Sequence, residues 1–139
     1  MMKSTNILVV DDEEIVRLSY ARSLANGHCK VEMASNGREA LQAMGRCPFD
    51  VVLLDLLMPG MNGMAVLSTI KQHWPESEVI IITGYPALET AKEAVTLGAY
   101  DYLAKPAGPD DIVNATYNAV MHKQWTLRSD QVASCAGMH

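Results

Sequence analysis

Five side chains in this sequence have the types and positions needed to handle a phosphoryl group: Asp11, Asp12, Asp55, Thr83 and Lys105. Asp11 and Asp12 follow the apolar run Ile7-Leu8-Val9-Val10. Asp55 follows Val51-Val52-Leu53-Leu54 and precedes Leu56-Leu57-Met58-Pro59-Gly60. Thr83 ends Val79-Ile80-Ile81-Ile82, and Lys105 lies just past Tyr100-Asp101-Tyr102-Leu103. If these runs are strands of one parallel sheet, their C-terminal ends share an edge, where ligands gather in open α/β folds. Two carboxylates ~4 Å apart repel by ~4 kcal/mol at an effective dielectric of 20. Three cannot all stay ionised without a cation or a raised pKa. Lys105 balances one. A divalent cation balances the others, and hard oxygen ligands suit Mg²⁺, which keeps several waters and takes one or two carboxylates. Its open positions admit phosphate oxygens. A carboxylate beside a metal, an amine and a hydroxyl is placed to attack phosphorus and form an acyl phosphate.

The elements that would hold these groups are legible from periodicity. The apolar run at residues 7–10 is a short buried strand. Ile15, Leu18, Ala21 and Leu24 then recur at helical spacing, with Asn26-Gly27 as the C-cap. Val31 and Met33 alternate with Lys30 and Glu32, as in a half-exposed strand. Asn36 with Glu39 three residues on resembles a capping box, and the helix it opens covers Ala40, Leu41 and Met44 before Pro48. After the strand ending at Asp55 comes a loop with Pro59, Gly60 and Gly63. A helix over Val66, Leu67 and Ile70 follows and closes before Pro75. Beyond the strand at residues 79–82, a helix spans roughly Ala87 to Leu97, with Gly98 at its C′ position. Pro109-Asp110-Asp111 opens the last helix, over Ile112, Val113, Ala119 and Val120, with proline and acids where the helix dipole favours them.

Five strand–helix units in succession imply one α/β domain: a five-stranded parallel sheet with helices on both faces. Near-continuous Val/Ile runs fit strands buried on both sides. The domain is expected to span residues 1–125, and residues 126–139 to form a less periodic C-terminal tail that frays or acts as a linker stump. The 139 residues leave no room for a second domain.

A net charge of −5 argues against non-specific binding to nucleic acid and against an anionic membrane surface. Cys29, Cys47 and Cys135 are too scattered for a C-x-x-C pattern. Cys29 and Cys47 read as small buried hydrophobes in a reduced, cytoplasmic compartment. The N-terminus lacks a signal-peptide pattern, and no apolar run approaches the ~20 residues of a membrane span. His28, His73, His122 and His139 lie away from the acidic edge and read as surface residues. The methionines suggest no cofactor.

Taken together, Ile7 to Glu13, Asp55 to Gly63, Ile82-Thr83-Gly84 and Lys105-Pro106 resemble the signature of response-regulator receiver domains, over about residues 5 to 123. The resemblance implies a doubly wound, flavodoxin-like (βα)5 fold with strand order 2-1-3-4-5. It implies Asp55 as phosphoacceptor, with Thr83 and Lys105 completing the catalytic set. Asp12 would bind the metal directly and Asp11 mainly through water, with Asp55 and the backbone carbonyl of Leu57 as further ligands. The cofactor would be Mg²⁺, with Mn²⁺ as a substitute. Thr83 and Tyr102 would act as the switch pair, and Lys105-Pro106 would be a cis peptide. The implied partner is a sensor histidine kinase or a histidine phosphotransfer protein. The fourth helix, fifth strand and fifth helix would form the responding face, binding a partner or a second copy. Such a chain catalyses its own phosphorylation and dephosphorylation and is not otherwise an enzyme. The bulky Leu57 and Tyr85 should overhang the site, hinder an attacking water and prolong the phosphorylated state.

Blander readings stand beside these. Asp11 and Asp12 occupy a helix start, where acids serve as caps. Asp55 alone reads as a turn residue, Thr83 as a β-branched strand residue, Lys105 as a solvated lysine and Tyr102 as an amphipathic edge residue. It is their convergence that favours the phosphoryl chemistry. Two other functions compete: a haloacid-dehalogenase-type phosphatase, which wants an aspartate where Leu57 stands, and an interaction module that works without phosphorylation. A nucleotide site would need a glycine-rich loop after the first strand, and none is present.

Overall fold

A computed structural model describes residues 4–25 and 28–137 of the chain, with side chains through Leu127. In order along the chain it contains β1 (Thr5–Val10), α1 (Glu14–Leu24), β2 (Cys29–Ala34), α2 (Gly37–Arg46) and β3 (Val51–Asp55). Then come α3 (Gly63–His73), β4 (Glu78–Thr83), α4 (Leu88–Thr96), β5 (Asp101–Ala104) and α5 (Pro109–Gly137). The strands form one parallel sheet in the order β2-β1-β3-β4-β5, the expected doubly wound arrangement.

Strand alternation divides the core into two layers. Leu8, Val10, Val52, Leu54, Val79 and Ile81 pack against α2, α3 and Ala94 of α4. Ile7, Val9, Val51, Leu53, Ile80 and Ile82 face Tyr20 and Leu24 of α1 and Ile112, Ala115 and Ala119 of α5. Both faces of the central strands are therefore dry, which is why their sequences are unbroken apolar runs.

The caps follow local chemistry. The Asn36 side chain accepts the Glu39 N–H at 2.8 Å. Glu39 reaches back to accept the Ser35 N–H at 2.7 Å and the Ser35 hydroxyl at 2.7 Å. That contact falls one residue earlier than in a standard capping box. Asn62 caps α3 by accepting the Met64 N–H. Gly98 adopts φ +102° after α4, the left-handed conformation expected of a C′ glycine.

Several expectations are corrected. In α1, Ile15 and Leu18 are exposed, and the buried face is Tyr20 and Leu24 with half-buried Val16. Positions 16, 20 and 24 stack along one stripe at steps of four. Turning Ile15 inward would require rotating the helix by about 100° per residue of offset and would expose the Tyr20 ring. Cys29 is half-buried and Cys47 exposed: Cys47 caps the end of α2 through its backbone, which leaves its thiol outside. Val113 of α5 is also exposed. The chain beyond Trp125 continues as helix, without a break from Pro109 to Gly137. Asn26 and Gly27, expected to close α1, and the side chains of Cys135 and His139 lie outside the described residues.

Candidate functional site

Sheet register brings the site together. Leu54 of β3 lies beside Val10 of β1, Asp55 beside Ile82 of β4, and Thr83 beside Ala104 of β5. These strands thus end in step, and the residues that follow them meet at one edge.

Asp55 is buried at that edge. Its Oδ1 accepts the Leu57 N–H at 3.2 Å, and its Oδ2 lies 3.3 Å from Lys105 Nζ. The same ammonium donates to Asp11 Oδ2 at 2.8 Å. Asp11, also buried, accepts the Glu13 N–H at 2.9 Å on its other oxygen, which fixes the turn before α1; the N-cap residue Glu13 makes no side-chain cap bond, so neither Asp11 nor Asp12 caps this helix. Asp12 is exposed, and its carboxylate pairs with no described residue. Carboxylate oxygens of Asp11, Asp12 and Asp55 all lie within 4.8 Å of one another. One lysine thus serves two buried acids, with a third acid alongside. An all-oxygen donor set facing solvent on one side suits a hard divalent cation.

The electrostatics follow. Burial, reinforced by the neighbouring Asp11 charge, pushes the Asp55 carboxyl from 3.8 to about 6, and Lys105 and the Leu57 N–H offset this only in part. Burial disfavours the Lys105 charge, but the hydrogen bond and charge of Asp11, with Asp55 behind, outweigh it and hold its pKa above the usual lysine value. The Tyr20 phenol is raised by burial, partly countered by Lys105, with Asp11 and Asp55 adding to the rise.

Thr83 is fully buried, and its Oγ1 accepts the Tyr85 N–H at 3.1 Å. A hydroxyl has one proton to give, and this arrangement leaves it free. The Thr83 carbonyl accepts the Lys105 N–H at 2.8 Å, which ties the two functional loops together. The Lys105–Pro106 bond is cis, as expected. The Tyr102 hydroxyl lies 2.7 Å from Thr90 Oγ1 and accepts the Ala87 N–H at 3.3 Å, joining β5 to α4. Leu57 and Tyr85 are exposed on the loops leaving β3 and β4. Gly63 makes the path of the first loop possible: a Cβ there would stand 2.6 Å from the Leu56 carbonyl oxygen.

Sequence reasoning missed Arg17, whose Nη1 donates to the Asp11 carbonyl at 2.7 Å and braces the loop after β1. Its only signal is its place one turn into α1, on the side of the acids. It also missed Tyr20, read as neither core nor site.

The response regulator receiver domain family matches residues 7–117. The chain belongs to this family. The DNA-binding transcriptional regulator NtrC of Escherichia coli is 40% identical over 118 residues, which is 85% of this chain and 25% of that protein. A putative NtrX-like response regulator of Rickettsia felis is 37% identical over 114 residues, 81% of this chain and 24% of that one. The chain thus spans about a quarter of the length of the curated relatives it matches. Among solved structures, NtrX from Brucella abortus, in complex with ADP, superposes with a TM-score of 0.87 at 30% identity, covering 93% of this chain and 30% of that one. A CheY-like receiver domain protein from Methanospirillum hungatei gives 0.85 at 27% identity, covering 89% and 99%. The phosphatase reading finds no support in these matches. No helix among the described residues is long and apolar enough to cross a membrane.

Proposed function

We propose that this receiver accepts a phosphoryl group on Asp55 from a phosphohistidine of a sensor kinase or histidine phosphotransfer protein. The carrying observation is the imbalance at the sheet edge: two buried acids share Lys105, a third stands beside them, and Asp55 is held near pKa 6. Asp11, Asp12, Asp55 and the Leu57 carbonyl would hold Mg²⁺, which neutralises carboxylate and phosphoryl oxygens when bound. A carboxylate oxygen of Asp55 attacks phosphorus as the P–N bond to the donor imidazole breaks. Lys105 turns from Asp55 to the incoming phosphoryl oxygen. The free proton of Thr83 supplies a second donor once the hydroxyl rotates inward.

The product carries about −1.5 to −2 charges where one carboxylate stood. Rotation of Thr83 breaks its bond to the Tyr85 N–H, and Tyr102, tied to α4 through Thr90, follows. The α4-β5-α5 face is then the two-state element that binds a partner or a second copy. The receiver acts in the cytoplasm and turns over no outside substrate.

Incubation with a small phosphodonor and Mg²⁺ should add one phosphate to the chain by intact mass, and Asp55→Asn should stay unlabelled. Equal labelling of both would remove Asp55 from this role, and no labelling of either would favour an interaction module that works without phosphorylation. Leu57 and Tyr85 flank the path of an attacking water. Leu57→Asn and Tyr85→Ala should each shorten the phosphorylated half-life severalfold, read by the decay of the labelled mass.

A further inference from the structure

Four acids in succession, Asp11, Asp12, Glu13 and Glu14, carry the chain from β1 into α1. Asp11 is buried and the other three are exposed. A helix start favours acids, but it also needs a side chain to accept the free N–H groups of its first turn. Glu13 stands at the N-cap and makes no such bond. The turn is held from elsewhere.

Asp11 carries the anchors. Its N–H donates to the Ala34 carbonyl of β2 at 3.2 Å. Its Oδ1 accepts the Glu13 N–H at 2.9 Å, and its Oδ2 accepts Lys105 Nζ at 2.8 Å. Its carbonyl accepts Arg17 Nη1 at 2.7 Å. Asp12, by contrast, gains no hydrogen bond from any described residue. A carboxylate oxygen of Asp12 still lies within 4.8 Å of its counterparts on Asp11 and Asp55. Like charges at that range repel, and nothing on Asp12 itself stops it from swinging outward into water.

The restraint comes through the backbone. A peptide unit is planar, so a carbonyl and the N–H and Cα that follow it turn as one body. Holding the Asp11 carbonyl sets the direction in which Asp12 leaves the strand. The bond that holds it is charge-assisted, roughly twice as strong as a neutral one. Half-buried Arg17 makes it from the first turn of α1, where its own N–H closes on the Glu13 carbonyl at 3.0 Å. Arg17 thus ties the strand end to the helix across the residues between them.

We propose that Arg17 is the positioning residue of the metal site: by holding the Asp11 carbonyl it fixes the peptide plane that carries Asp12, and keeps that acid in reach of a divalent cation against the repulsion of its neighbours. The role rests on the reading that Asp11, Asp12 and Asp55 hold such a cation. Arg17 touches neither the ion nor the phosphoryl group and acts only through Asp11. Its charge works the other way, because a guanidinium near the site repels a cation. Geometry and charge therefore predict opposite signs for its removal.

The test is Mn²⁺ binding to the whole chain, read as free ion by electron paramagnetic resonance at fixed ionic strength, with urea unfolding of each variant in EDTA alongside. The wild type should bind one Mn²⁺, displaced by Mg²⁺, and Asp12→Ala should lose it. Arg17→Met should weaken binding about tenfold, the scale of a lost charged hydrogen bond. Arg17→Lys keeps the charge but not the planar fork, and should weaken it less. Arg22→Met removes the exposed arginine in the last turn of α1 and changes the net charge equally, and should leave binding unchanged or slightly tighter. At saturating Mg²⁺, Arg17→Met should regain the wild-type rate of labelling by a small phosphodonor, because only ion affinity has fallen. Binding by Arg17→Met equal to or tighter than wild type overturns the proposal, even with lower stability in urea, and leaves Arg17 a brace for α1 alone. Labelling that stays slow at saturating Mg²⁺ overturns it as well. A wild type that binds no Mn²⁺, or binds it equally well as Asp12→Ala, removes the cation site itself and the positioning role with it.

Discussion

The two ends of the sheet treat charge in opposite ways. Where the strands finish, Asp11, Asp12 and Asp55 crowd around Lys105, and burial and repulsion push the Asp55 carboxyl up to about 6. Where the strands begin, Asp50 and Glu78 each have cationic or polar partners of their own. Asp50 accepts Lys123 Nζ at 2.6 Å and the Asn6 N–H at 2.8 Å. Glu78 lies between Lys71, 3.6 Å away, and the imidazole of His122. Both ends join helices to the sheet, but only at the C-terminal end do three described carboxylates crowd around one lysine. The fold therefore has no general need for surplus acids at a sheet edge. The surplus at the strand C-termini is a destabilising feature that a cation or a phosphoryl group with its cation would relieve.

This contrast predicts changes of different sign and size. The largest effect should come from Lys105→Met, which leaves Asp11 and Asp55 buried without their shared cation. Stability measured by urea unfolding at pH 7 without metal should fall by about 3–4 kcal/mol, as for a buried pair broken from one side. Little or no loss would mean that water already screens these acids.

Asp55→Asn should act in the other direction. A folded pKa of about 6 against 3.8 means that the native protein binds the extra proton between those values. That contribution is fully present below about pH 4 and is lost as pH rises through 6. At pH 7 in EDTA the variant should therefore be more stable than the wild type, by no more than about 3 kcal/mol, at roughly 1.36 kcal/mol per pH unit. The gap should close toward pH 4. Adding Mg²⁺ should narrow it as well, by raising the melting temperature of the wild type alone. A variant equal to the wild type at every pH would show that the acids are not in conflict.

The smallest effect is expected at the other end. Lys123→Met removes a partly exposed pair, so the loss should be about 1 kcal/mol or less and should shrink further at high salt. A larger, salt-insensitive loss would erase the distinction between the two ends.

Much of this was legible before any coordinates. The unbroken runs at residues 7–10, 51–54 and 79–82 could only be strands covered on both faces, and their endings named Asp11, Asp12, Asp55 and Thr83. The less legible parts share a physical cause. The inward face of α1 depended on a choice between Ile15/Leu18 and Val16/Tyr20, and a window with apolar residues on both sides does not decide it. Arg17 acts on a backbone carbonyl, which leaves no trace in residue types. The extent of α5 did have a signal: no proline or glycine occurs from Asp110 through Ala136.

That length sets a mechanical ratio. Helix α5 has 29 residues. With a rise of about 1.5 Å per residue, it extends about 43 Å. Strand β4, of 6 residues, covers only about 20 Å. The side chains of α5 lie against the body as far as Leu127, which borders the same hollows as Ser4, Pro75 and Glu76. Ten further residues, about 15 Å of helix, follow Leu127. A rotation of the helix by about 5°, the scale of side-chain repacking, would sweep its last turn through about 1 Å at this rise per residue. The helix is a lever held along its longer arm, and its shorter arm converts small repacking into displacement.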